Sequence, residues 1–341
     1  MQKLFILGAG FSKAFSSYMP TIYDLGQTIK NNINRIPGNS ENRGIYRKLS
    51  SNPEQLLSYL FQPMPWKTPE KVYLDKSAFS FLSRFIADYI SECERLAFGN
   101  ETPSWGGSFV EYITKKKLTV ATLNYDTILE KLYLNLQIPD KSILGKGYEV
   151  QKVTILDLYP LPVVNILERK LHTTVVLQNP STFKLLKLHG SINWYYSGDE
   201  NFPGQQIYAE DYATVSMHEN KIEMLKTDLV PLLIPPVTEK TFFYGTNLIK
   251  AAWRSLLQAI KLADEIYCIG YSLPKTDSTM KLFLSTAATT YNSKKIYIVN
   301  SAKDEELEIL IDNYSEVFGI ANLKEDYLGQ DNCVEMMINN L

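Results

Sequence analysis

Leu4-Phe5-Ile6-Leu7-Gly8-Ala9-Gly10-Phe11-Ser12 is a short apolar run that stops at a glycine-rich turn, and its reading decides the fold. Four apolar residues without polar alternation read as a strand buried on both faces, as in a parallel sheet covered by helices. Comparable runs recur at 118–121, 185–188, 232–234, 266–269 and 296–299, each ending in a polar or glycine-containing turn. Helical patterns lie at 246–262, 278–291 and 304–314. This alternation predicts an α/β fold, a doubly wound, mostly parallel Rossmann-like sheet.

Between 20 and 117 the pattern changes to amphipathic helical stretches, 77–98 among them, with Pro- and Asn-rich breaks near 36–42 and 61–69. This segment reads as a large helical insertion after the first strand. The expected organisation is one domain over 1–341, in which 1–20 and 118–341 form the Rossmann-like core and 21–117 the insertion. Segments 139–182 and 195–228 carry little periodicity and are expected to be loops and small hairpins over the sheet. The length of 341 residues and 45% hydrophobic content suffice for one large core or two modest ones.

The formal net charge is -2 with acids and bases interspersed, so no basic face points to nucleic acid or an anionic membrane. Cys93, Cys268 and Cys333 are far apart and odd in number, which argues against a disulfide framework and suits the reducing cytoplasm expected for this chain. A structural zinc site wants four ligands, usually from C-x-x-C pairs, so no metal is expected. The run at 4–7 is too short for a signal peptide or a membrane span, and no longer uncharged apolar stretch replaces it.

The chemistry gathers at the strand ends. Gly8-Ala9-Gly10-Phe11-Ser12 leads into a short helix, where glycines let the backbone approach a pyrophosphate and N–H groups meet its charge; a plain tight turn is the alternative, because position 13 is Lys and the third glycine of G-x-G-x-x-G is missing. Thr122-Leu123-Asn124-Tyr125-Asp126 follows the second run. Asn124 is either a site residue or a turn residue, and Asp126 either a ligand group or the cap of a helix over 127–134. Lys187-Leu188-His189-Gly190-Ser191-Ile192-Asn193-Trp194 ends a third run in His-Gly, with His189 placed for general base work and Gly190 leaving room for a ligand. A structural, hydrogen-bonding histidine is the alternative there. His172 and His218 read as solvated loop residues. Gly270-Tyr271-Ser272-Leu273-Pro274-Lys275-Thr276-Asp277 and Ile298-Val299-Asn300-Ser301 complete the series. Five polar turns at five strand ends make a shared ligand cleft.

Taken in order, these motifs resemble the sirtuin family, particularly its prokaryotic antiviral-defence branch. The likeness runs from Gly8 to Asn300. The G-A-G-x-S loop is matched at Gly8 to Ser12, T-Q-N-x-D at Thr122, Asn124 and Asp126, His-Gly at His189 and Gly190, G-x-S at Gly270 and Ser272, and the late Asn at Asn300. The resemblance implies that Gly8, Ala9, Gly10 and Ser12 hold the NAD phosphates, with Phe11, Gly270 and Ser272 also at the cofactor. Asn300 would hold the adenosine ribose, Asp126 the nicotinamide carboxamide, Asn124 the reacting ribose or a water, and His189 would be the base. Leu123 departs from the family's Gln, no Phe-Arg follows Pro20, and the paired C-x-x-C zinc module of the deacetylases is absent.

The implied activity is NAD glycohydrolysis, giving nicotinamide and ADP-ribose and depleting NAD in antiphage defence by abortive infection. Protein deacylation, ADP-ribosyl transfer and non-catalytic NAD binding are the alternatives. NAD is substrate rather than resident cofactor, with no metal required. By the same resemblance the partners expected are further copies of the chain in a homo-oligomer, or a separate ATPase or activator subunit.

Overall fold

The computed structural model describes residues 1–100, 102–137, 154–161, 163–166, 182–197, 206–211, 226–234, 246–275, 277–287, 291 and 294–341. Strand β1 (Lys3–Leu7) is followed by helices α1 (Ala9–Phe15), α2 (Ile22–Asn31), α3 (Ser40–Leu49), α4 (Pro53–Phe61), α5 (Pro69–Gly99) and α6 (Ser104–Lys116). Then come β2 (Thr119–Thr122), α7 (Ile128–Gln137), β3 (Val164–Asn165), β4 (Lys184–Lys187), β5 (Gly190–Tyr196), β6 (Tyr208–Ala209) and β7 (Val230–Leu233). The chain continues with α8 (Asn247–Leu262), β8 (Glu265–Ile269), α9 (Ser278–Thr286), β9 (Lys295–Asn300), α10 (Asp304–Phe318), β10 (Leu323–Leu328) and α11 (Cys333–Asn339).

Six strands form one sheet in the order β10-β9-β8-β1-β2-β4, every neighbouring pair parallel. Renumbered in chain order within this sheet, that is 6-5-4-1-2-3, the doubly wound Rossmann arrangement with its reversal between β1 and β8. Alternation along β1 shows why the apolar run has no polar positions. Phe5 and Leu7 join Phe109, Ile113, Leu132 and Val334 in one core, while Leu4 and Ile6 join Leu256, Met280, Leu284 and Leu310 in the other.

The run at 232–234 is a buried strand as expected, but it does not belong to the parallel sheet. It lies in β7 and at its end, and β7 pairs antiparallel with β5 in a second sheet of order β3-β6-β5-β7. An apolar run records burial on both faces and not the partner strand. β7 is buried because α5 lies over it: the Arg84 guanidinium donates to the carbonyl of Leu229 at 2.6 Å and to that of Thr227 at 3.0 Å. Strands β5 and β10 are further additions to the expected set. Helix α9 ends at Thr286, short of 291, and α10 runs on to Phe318. Most of 139–182 and 195–228 lies outside the described residues, as do His172 and His218. The described helices include none long and apolar enough to cross a membrane.

The large helical segment between β1 and β2 starts its helices with conventional signals. Thr21 and Asp24 form a capping box on α2, Asn52 caps α4 ahead of Pro53, and Thr68 caps α5 ahead of Pro69. One buried charge ties this segment to the core. Glu94, on α5 and fully buried, accepts hydrogen bonds from the Thr127 backbone N–H and hydroxyl and pairs with Lys131, so a helix of the insertion anchors the start of α7. Glu94→Ala leaves the Thr127 N–H and the Lys131 ammonium without this partner. We expect a loss of about 3 kcal/mol in unfolding free energy by urea denaturation, the scale of breaking a buried pair. A loss below about 1 kcal/mol contradicts this role for Glu94.

Candidate functional site

The parallel strands β1, β2, β4, β8 and β9 end on one edge, which brings the five motifs of the sequence to the same side of the molecule. At the reversal point the turns after β1 and β8 touch backbone to backbone. The Gly8 N–H donates to the Ile269 carbonyl at 2.9 Å and the Gly10 N–H to the Gly270 carbonyl at 2.8 Å. Gly270 has φ +61°, and a Cβ there would stand 2.1 Å from the Phe11 nitrogen; a Cβ on Gly8 or Gly10 would stand 2.7 Å from Gly270 or Tyr271 atoms. Glycine is therefore demanded by chain contact. The Gly10 N–H, read from the sequence as a group that could meet a pyrophosphate, is committed to the Gly270 carbonyl. Phe11 likewise points into the core, with its ring 5.6 Å from Trp105 and 5.8 Å from Phe109. The N–H that heads α1 is that of Ala9, and Ala9 lines the cleft.

Ser12 joins this turn to the one after β2. Its hydroxyl donates to Asp126 Oδ2 at 2.6 Å and accepts from Asn124 Nδ2 at 2.8 Å. The Asn124 amide also donates to the Gly8 carbonyl at 2.9 Å, so both of its donors serve to hold the loop and its carbonyl oxygen is the group left for chemistry. Asp126 additionally accepts weakly from the Ile128 N–H at 3.3 Å, which makes it a partial cap of α7 as well as a wall of the cleft. Burial pushes its carboxyl up to about 6; the negative charges of Glu94 and Glu130 push the same way, while Lys187 and the Ser12 hydroxyl oppose them.

Behind this wall lies a buried polar chain that sequence reasoning missed. Lys187, fully buried, donates to the Asp126 carbonyl and pairs with Glu130 at 3.0 Å. The Tyr159 hydroxyl donates to Glu130 at 3.2 Å and accepts from Asn193 Nδ2 at 3.3 Å, and the Ser191 hydroxyl donates to Asn193 Oδ1 at 2.6 Å. The polar residues of the 187–194 motif other than His189 thus support the site from beneath. The pattern of alternating polar residues was their signal, but their partners come from distant elements.

His189 is 3% exposed and lines the cleft between β4 and β5. Its carbonyl accepts from the Ile234 N–H at 2.8 Å, so the second sheet fixes its height on the edge. The space beside Gly190 belongs to that sheet and not to a ligand: at φ +82°, a Cβ would meet the Leu232 carbonyl oxygen at 1.9 Å.

Two adjoining cavities open on this edge. The first is lined chiefly by Met19, Pro20, Ile22, Leu25 and Ile90, with Ser12 and Asp126 at its polar end. The second is lined by Gly8, His189, Gly270, Tyr271, Ser272 and Asp277 among others. Ala9, Glu54, Leu123 and Asn124 border both. Asp277 caps α9 through the Met280 N–H at 3.2 Å and accepts from the Tyr271 hydroxyl at 2.8 Å. Asn300 stands apart from these cavities, at the end of β9, where its side chain accepts from the Ala302 N–H at 3.0 Å. Glu54 was not anticipated from the sequence, where it has the form of an ordinary acid in the first turn of a helix. The three cysteines are buried and free, and the described residues contain no group of three His, Cys, Asp or Glu side chains that could hold a metal.

No protein-family model matches this chain, and no curated protein matches it. Solved structures to which the chain is similar include a mutant Sir2 homologue in complex with ADP ribose, at 13% identity and a TM-score of 0.45, covering 99% of this chain and 89% of that one. Others are Sir2 bound to an acetylated peptide, at 14% identity and a TM-score of 0.40, and a Sir2 complex with p53 peptide and NAD+, at 14% and 0.39; each covers 99% of this chain and 91% of the other. Such overlaps transfer no residue role to this chain, so its own side chains carry the chemistry.

The raised carboxyl of Asp126 has a consequence for stability. Folding favours its protonated form, so this stabilisation is complete below about pH 4 and is lost as the pH rises through about 6. Asp126→Asn removes the titration while retaining an acceptor for Ser12. We therefore expect the melting temperature of the variant to gain on that of the wild type between pH 4.5 and pH 7.5. Curves that stay parallel over that range contradict the raised value.

Proposed function

We propose that this chain binds NAD across the two cavities and cleaves the nicotinamide–ribose bond with water, releasing nicotinamide and ADP-ribose. The observation that carries this reading is the bipartite cleft at the reversal point of a Rossmann-ordered sheet, the place where such sheets take dinucleotides. The apolar first cavity, with the Asp126 carboxyl at its polar end, fits a flat aromatic ring bearing a carboxamide. The second, at the ends of β1 and β8, fits the ribose and diphosphate, with the Ala9 N–H at the head of α1 for the phosphate charge. Asn124 borders both cavities and so stands where the ring joins the sugar.

Nicotinamide departs with the bonding pair, and positive charge develops on the ribose. The water oxygen then bonds to the anomeric carbon while its proton passes to His189. The Asn124 carbonyl orients the water or a ribose hydroxyl, held in place by its two amide hydrogen bonds. Because nicotinamide is a good leaving group, orientation and modest base assistance suffice. Residues of the proposed 21–117 insertion supply Ile22, Leu25, Glu54 and Ile90 to the cleft, which supports a single domain over 1–341. We place the turnover in antiphage defence, where loss of NAD halts an infected cell, on the wording of the 187–194 and 270–277 motifs.

Incubation of the purified protein with NAD, with and without an acetylated lysine peptide, tests the reading by product analysis. We expect nicotinamide and ADP-ribose in equal amounts, independent of the peptide. His189→Ala and Asn124→Ala each lower kcat about 100- to 10,000-fold, the range of general base and positioning effects, at little change in NAD affinity. Acetyl-ADP-ribose formed only with peptide, or no nicotinamide at all, contradicts hydrolysis.

A further inference from the structure

We infer that Glu54 is a further catalytic residue, whose carboxylate faces the reacting ribose and offsets the positive charge that develops there; this rests on the NAD-cleaving reading above. The four residues common to both cavities are Ala9, Glu54, Leu123 and Asn124, and Glu54 alone among them is ionisable. It stands at the junction where the bond to be broken would lie. Its position on both sides of that junction has an independent sign. Tyr125 borders the first cavity and Tyr271 the second; burial raises both phenols, and the charge of Glu54 raises each further.

The backbone beneath Glu54 is fixed. Asn52 caps α4 through the Gln55 N–H at 3.1 Å, the Ser58 hydroxyl donates to the Glu54 carbonyl at 2.5 Å, and Leu56, Leu57 and Leu60 are buried. A half-buried carboxylate on a rigid turn costs little reorganisation when charge develops beside it, the condition for electrostatic stabilisation of a transition state. The local charge agrees. The described residues bordering the first cavity include the acids Glu54 and Asp126 and no lysine or arginine, a lining that suits a cationic nicotinamide–ribose end. As the bond from the anomeric carbon to the nicotinamide nitrogen breaks, its electron pair leaves with nicotinamide. Glu54 forms no bond to the sugar and takes no proton. The helical insertion thereby supplies a charged catalytic group beside the apolar residues that it gives to the first cavity.

Glu54→Gln removes the charge at nearly constant size, and Glu54→Asp keeps the charge with a shorter reach. With NAD as substrate we expect kcat to fall roughly 100-fold in the Gln variant, the scale of losing one electrostatic partner of a transition state, with partial recovery in the Asp variant. The KM for NAD and the calorimetric affinity for ADP-ribose should stay within about threefold of wild type, and the melting temperature should be unchanged. A Gln variant with kcat near wild type overturns the role of Glu54 while leaving NAD cleavage standing. So does a loss of activity that follows a loss of melting temperature, with Asp no better than Gln. A wild-type protein that neither binds nor cleaves NAD overturns the parent reading and this inference with it.

Discussion

A single hydroxyl, that of Ser12, holds the site together. It accepts from Asn124 and donates to Asp126, so the turn after β1 and the turn after β2 cannot shift independently. The second anchor of Asn124, on the Gly8 carbonyl, closes the same loop through the backbone. With both amide hydrogens engaged, the Asn124 side chain has one defined orientation and presents an acceptor to the cleft. Below it the Lys187–Glu130 pair fixes the Asp126 main chain, and the pair is sustained by the Tyr159 hydroxyl. Buried charges of this kind require every partner in place, which accounts for the number of polar residues packed under one short turn.

The glycines of the two facing turns add a different constraint. Gly8, Gly10 and Gly270 are in contact because the reversal point brings β1 beside β8, and no side chain fits between them. The cleft therefore opens beside this contact and not through it, which leaves Ala9 and the polar turn after β2 as its walls. The helical segment completes the enclosure. Ile22, Leu25 and Ile90 make the first cavity apolar, and Glu94 couples α5 to the start of α7 next to Asp126. Sheet edge and insertion are thus one site, joined by hydrogen bonds that cross between them.

Five of the six parallel strands were legible because burial on both faces leaves an uninterrupted apolar run. β10, with Lys324, Glu325 and Asp326 at its centre, lies at the edge of the sheet and keeps charged residues that hide it from such a reading. β5 was obscured for the opposite reason: Ser191 and Asn193 are buried there by bonding to each other and to Tyr125 after β2, Glu210 after β6 and Tyr159, partners that the local sequence does not reveal. The run at 232–234 displayed its burial but not its sheet. Among site candidates, residues at strand ends were visible because topology alone brings those ends together. Glu54 was not, since its place beside Asn124 depends on how a helix far along the chain packs back over the edge.

A crystal structure with an NAD analogue whose nicotinamide ribose is carbocyclic, and so resists cleavage, tests the central claim most directly. The account predicts the nicotinamide ring in the Asp126 cavity, its sugar against Asn124 with His189 and Glu54 nearby, and the diphosphate at the head of α1 near Ala9. A diphosphate in the Asp126 cavity, or an analogue bound away from Asn124, contradicts it.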